Sequence, residues 1–143
     1  VDRVTRPRAV EDARHEAAHA VVGAYLGLSL RSVKLIGGKW VGYTEFGCPL
    51  SKRLQSGIMF AAGPAGDALH GLTHHYGWAG DFRELADLYF SKSERRVLID
   101  MATRYLRGPC KRPWEAITEA LLERNLSGRE IKAFIEHGEQ LEP

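Results

Sequence analysis

The stretch ARHEAAHAVVGAYLGL, Ala13 to Leu28, constrains the fold more than any other part of the chain. Its second half is apolar nearly all round, and a helix of that kind is buried. Its first half sets His15, Glu16 and His19 among alanines. A carboxylate without a partner in a buried helix is costly. Residues four apart share one helical face, about one turn from each other. Both imidazoles can therefore reach a single divalent ion, at about 2.0–2.1 Å if that ion is zinc. Glu16 is one step round the helix, placed to touch a water on the ion rather than to be an equal ligand. A bound cation and a water give all three polar groups partners and offset the burial cost.

This HExxH spacing is suited to peptide hydrolysis. The metal lowers the pKa of a water toward about 7, a carboxylate takes its proton, and the water attacks a carbonyl that the metal polarises. Two histidines leave a third protein ligand to be found. The residues after His19, AVVGAYLG, do not continue as HExxHxxGxxH. The third ligand must come from further on, and the candidates are Asp67, His70, His74, His75, Asp81 and Glu84.

The rest of the chain reads as mainly α, within an α+β class. A first helix is predicted from about Arg8 to Leu26, stopped by Gly27. SLRSVKLI and KWVGYTEF read as two paired strands around a Gly37-Gly38 turn. Ser51 to Leu72 reads as a helix that Pro64 kinks or splits. THHYGWAG is a glycine-punctuated loop, with His74 and His75 read as surface residues. Asp81 is predicted to begin a helix with Phe82, Leu85, Leu88 and Tyr89 on one face. Ser93 is the expected cap of ERRVLIDMATRYL, and Pro113 the expected start of WEAITEALLERN. Ser127 and Glu130 form a capping box for the last helix.

The 143 residues fit one domain, 1–143, with a sizeable core. A net charge of +2 and the lack of a long basic run argue against nucleic acid. No apolar run reaches the length of a membrane span. Cys48 and Cys110 lie far apart and outside any Cys-x-x-Cys pattern, so a reducing, cytoplasmic compartment is expected.

Several ordered pieces resemble the peptidase domain of FtsH-type ATP-dependent zinc metalloproteases. RHEAAHAVVGAYL is similar to that family's HEAGHA-type helix, and VKLIGGKWVGYTEF to its strand pair. MFAAGPAGDAL, GWAGDFRELADL and LSGREIKAFI follow in the family's order. The family's third zinc ligand is the aspartate of an Asn-Asp-Leu segment, so the resemblance implies Zn²⁺ held by His15, His19 and Asp81. The competing use of Asp81 is as a helix N-cap. Asp67 is the alternative ligand, or a partner that orients a histidine. Ala18, Gly80 and Leu85-Ala86 depart from the family pattern.

The resemblance further implies that an edge strand pairs with an extended substrate backbone, here through Gly42, Tyr43 and Thr44. Trp40, Tyr43 and Phe46 are candidate subsite residues, and Cys48 lies next to them. No G-x-x-x-x-G-K-[ST] loop is present, so the chain reads as an excised domain or a free-standing relative without the ATPase module. The expected function is a zinc-dependent endopeptidase acting on flexible or unfolded polypeptide segments, with Glu16 as general base. The implied partners are the polypeptide, and by analogy a homo-oligomer or a separate ATPase. The alternative is a zinc-stabilised interaction or regulatory module with little turnover.

Overall fold

A computed structural model describes residues 6–36, 41–47 and 50–138. The alanine-rich first helix, α1 (Arg6–Tyr25), runs through the centre, with Ala13, Ala17, Ala18, Val21 and Val22 buried. β1 (Ser29–Ile36) and β2 (Val41–Gly47) follow as an antiparallel pair. A single 3-10 turn, Leu50–Lys52, leads into α2 (Arg53–Leu69), which is one helix through Pro64 rather than two. Next come α3 (Trp78–Asp87), α4 (Lys92–Arg107), α5 (Lys111–Leu121), β3 (Leu126–Ser127) and α6 (Gly128–Gly138). The expected mainly α architecture with a hairpin after the first helix is the one observed.

Small side chains let the two central helices approach closely. α1 presents alanines, and α2 presents Gly57, Ala61, Ala62, Gly63, Ala65 and Gly66, all buried. A Cβ on Gly66 would lie 2.8 Å from the Trp114 ring and 3.2 Å from the Ala18 methyl. The bulky core then comes from the outer helices: Leu85 of α3, Leu98 and Leu106 of α4, Trp114, Ile117 and Leu121 of α5, and Ile131 of α6. Trp114, Ile117 and Leu121 are three and four residues apart, and Leu98 and Leu106 eight, which places each of these sets on one helical face.

Among the described residues the sheet has three strands, in the order β2-β1-β3. β3 was not foreseen. It pairs Ser127 with Ser32 and Leu126 with Val33, too briefly to leave a periodic signal. β2 therefore lies at an edge, with Gly42, Tyr43 and Thr44 facing Leu35, Lys34 and Val33 across the ladder. The Gly37-Gly38 turn, Trp40 and Cys48 lie outside the described residues.

Several helix boundaries differ from expectation. α3 starts at Trp78, so Asp81 sits inside its first turn and its N–H bonds the Gly77 carbonyl. α4 is capped by Ser91, not Ser93: the Ser91 hydroxyl accepts from the Glu94 N–H while the Glu94 carboxylate accepts from the Ser91 N–H. α5 begins two residues before Pro113. The Ser127–Glu130 capping box is present as expected. Among the described residues, no helix is long and apolar enough to cross a membrane.

Candidate metal centre

Four segments build the site. α1 supplies His15, Glu16 and His19, which are 1%, 8% and 4% exposed. α2 supplies Asp67 and the Met59 carbonyl, the loop after it His75, and α3 Asp81 and Trp78.

The imidazoles of His15 and His19 each have Nδ1 on an acceptor. His15 Nδ1 lies 2.7 Å from Asp67 Oδ2, and His19 Nδ1 lies 2.7 Å from the Met59 carbonyl. A carbonyl can only accept, so His19 Nδ1 carries the proton. In the neutral ring its lone pair is then on Nε2. The same logic applies to His15 against the Asp67 carboxylate. The two Nε2 atoms face each other at 3.1 Å.

Asp81 closes the constellation from α3. Its Oδ2 lies 3.0 Å from His15 Nε2 and its Oδ1 3.2 Å from His19 Nε2. Asp81 Oδ2 is buried and has no donor in hydrogen-bonding geometry. Three lone-pair groups thus converge on one point, an arrangement that needs protons or a cation between them. An ion bonded at about 2.0–2.1 Å spaces tetrahedral donors by about 3.3 Å, close to the separations seen. The buried His15, Glu16 and His19 group could hold a metal ion, and so could a second grouping of His15, Asp67 and His75.

Two glycines shape the space beside the nitrogens. A Cβ on Gly63 would lie 2.5 Å from His19 Nε2 and 2.7 Å from His15 Nε2, filling the gap between them. A Cβ on Gly77 would lie 2.9 Å from His15 Nε2.

Protons take the cation's place when no metal is bound. Burial lowers the His15 pKa, but the Asp67 and Asp81 carboxylates beside its two nitrogens outweigh it and raise the pKa to about 10. Burial opposes charge on His19 also, and the Asp81 carboxylate turns the balance upward. Burial would raise the Asp81 pKa, yet His19 and His15 hold it down at about 2.

Asp67 sits behind His15, on the Nδ1 side, and also accepts from Trp78 Nε1 at 2.7 Å. That is the orienting place for a carboxylate, away from the Nε2 pair. Asp81, not Asp67, faces both Nε2 atoms. His75 departs from its expected surface position. It is 6% exposed and stacks on His15 at 4.2 Å and 12°. Its Nε2 lies 2.9 Å from Asp12 Oδ1, and its Nδ1 accepts from the Gly77 N–H at 3.0 Å. His74 stays exposed. Asp12, Gly63 and Trp78 were missed by reading the sequence, and His75, one of the candidate ligands, was read as surface. The one local signal was Asp12, which precedes His15 and Glu16 by three and four residues on the same face.

β2 packs against α1, with its outer edge unpaired among the described residues. No protein-family model matches this chain and no curated protein matches it, so the functional reading rests on its own residues.

Proposed function

We propose that this chain is a zinc-dependent endopeptidase acting on flexible polypeptide segments. The observation that carries the reading is the convergence of His15 Nε2, His19 Nε2 and the Asp81 carboxylate within 3.0–3.2 Å of one another, with Glu16 buried alongside. The donor set of two imidazoles and one carboxylate leaves a vertex for substrate, as catalytic zinc sites do. Zinc, when bound there, supplies Lewis acidity, polarising a carbonyl and lowering the pKa of water toward about 7. Glu16 takes the proton of the attacking water and delivers it to the departing amine nitrogen. Asp67 and the Met59 carbonyl hold the two rings in the tautomer that offers Nε2. The edge of β2 at Gly42–Thr44, unpaired among the described residues, suits main-chain pairing with an extended segment, which reads few side chains. Delivery of folded substrates would call for a separate ATPase or a self-assembled ring.

The test compares zinc content with casein cleavage in the parent and in Glu16→Gln. The expected result is unchanged metal content and a loss of roughly 10²–10⁴-fold in cleavage rate. Equal cleavage by both proteins would overturn the assignment.

One observation favours a second reading. The reacting groups are deeply buried, and a described cleft of about 750 Å³ is lined by Arg14 but by none of His15, Glu16, His19 and Asp81. A zinc-stabilised interaction module with little turnover would look like this. Full zinc occupancy without casein cleavage, in every assembly state prepared, would decide for it.

A further inference from the structure

The same cleft has a chemistry of its own. It lies where the C-terminal ends of α2 and α4 meet the start of α5, and α1 contributes Val10 and Arg14. Leu69, Leu106 and Trp114 give it an apolar floor. Around that floor stand Arg14, Arg107, Lys111 and Arg112, against the carboxylates of Glu115 and Glu119. Cations outnumber anions two to one.

Arg14 gives the cleft its direction. Its Nε is buried without a hydrogen-bond partner. Its Nη1 lies 3.2 Å from His70 Nδ1. A guanidinium can only donate, so His70 accepts there and is neutral. Burial and the neighbouring Arg14 charge lower the His70 pKa in agreement with this. No carboxylate among the described residues forms an ion pair with Arg14. A half-buried guanidinium thus stands at the wall of a cleft with no ion-pair partner among the described residues. Lys111 and Arg112 add positive charge in the first turn of α5, which holds no acidic residue. The helix macrodipole adds to the same sign of potential.

The apolar part is held to the cationic part. Trp114 Nε1 donates to the Arg14 carbonyl at 3.0 Å, and the His70 ring meets Trp114 edge-on at 5.3 Å. We infer that this cleft binds a small organic anion, a carboxylate or phosphate on a flat apolar body, with the oxyanion on Arg14 and the body against Trp114. A guanidinium fork matches either oxyanion with paired N–H donors. A volume of about 750 Å³ suits a ligand of that size. The cleft shares no lining residue with the metal centre, so this inference stands apart from the peptidase reading.

The experiment follows the indole N–H resonances of the ¹⁵N-labelled chain during titration with four probes. These are phenyl phosphate, N-acetylphenylalanine, its neutral amide, and inorganic phosphate. The expected result is a saturable shift of the Trp114 signal with at least one aryl anion, while Trp78, beside the metal centre, stays put. The amide and inorganic phosphate should each bind at least about tenfold more weakly. Arg14→Met should weaken the aryl anion at least about tenfold with helical content retained. Should that variant fail to fold, the exposed pair Arg107→Gln and Lys111→Gln serves in its place, with a weakening of about threefold or more expected. Four outcomes would each overturn the inference. They are no saturation up to about 10 mM, a shift at Trp78 instead of Trp114, equal binding of the amide or of inorganic phosphate, and undiminished binding by every folded variant.

Discussion

His15 is engaged by four other side chains. Asp67 takes its Nδ1, Asp81 and His19 face its Nε2, and His75 covers its ring. With no metal bound, the Asp67 and Asp81 carboxylates beside its two nitrogens keep its proton up to about pH 10 despite burial. Metal binding at neutral pH must expel that proton. The apparent zinc affinity should therefore rise by at least about tenfold per pH unit between pH 6.5 and 9, measured at buffered free zinc. A flat profile would mean that Nε2 is not a ligand. The sign for folding is opposite. The raised His15 pKa contributes stability to the metal-free chain that is fully present below about pH 6.5 and is lost as pH rises through about 10. Gly63 offers a second check at this scale. Its replacement by Ala improves helix propensity by about 1 kcal/mol but places a methyl between the two Nε2 atoms. Gly63→Ala should keep its helical circular dichroism and lose at least about tenfold in zinc affinity. His15, Glu16 and His19 were legible because their spacing of one and four residues is a local property. His75 was not, because nothing local distinguishes it from His74; only packing buries one and leaves the other in solvent.

At the scale of elements, the ends of α3 show what a sequence hides. Its start at Trp78 has no side-chain cap, so no capping residue marks it. Asp81 is consequently free of the capping role and turns its carboxylate to the histidines. At the other end, the Phe90 N–H bonds the Leu85 carbonyl and the Tyr89 N–H bonds the Ala86 carbonyl. This is a Schellman closure, which normally uses glycine at the left-handed position. Here Tyr89 takes it at φ 65° and is 83% exposed, instead of joining the apolar face with Phe82 and Leu85. Arg53 from α2 donates to the Leu88 and Tyr89 carbonyls and stacks on Phe90, which holds the turn from outside. Tyr89→Gly should therefore stabilise the chain by about 1 kcal/mol in urea denaturation. Destabilisation would show that the tyrosine ring has a packing role. Pro64 was expected to kink or split its helix, and it does not split it, since α2 is continuous through it. The capping box before α6 could be read directly, because its two residues lie three apart and bond each other.

Across the whole molecule, the candidate centre joins α1 to α3 by way of α2. Asp81 lies 62 residues beyond His19, and Asp67 lies 52 beyond His15. A metal there cross-links distant segments in the folded state alone. At a hundred times its Kd, such a ligand adds about 2.7 kcal/mol to folding. Zinc should raise the thermal midpoint by roughly 5–15 °C, and a chelator should reverse the rise. No change on chelation of a zinc-replete sample would show that the three groups pair through protons instead.

The sequence by itself determined the helical class, the hairpin after α1, the paired imidazoles with their carboxylate, and the list in which Asp81 stood. These follow from periodicity and short-range spacing, which a chain carries wherever it is. The tertiary structure alone decided that Asp81 faces the Nε2 atoms while Asp67 stands behind one ring, that His75 is buried against His15, and that Arg14 opens onto a cleft with no ion-pair partner among the described residues. Those relations depend on how closely α1 and α2 approach through their glycines and alanines, a distance set by packing between segments far apart in the chain.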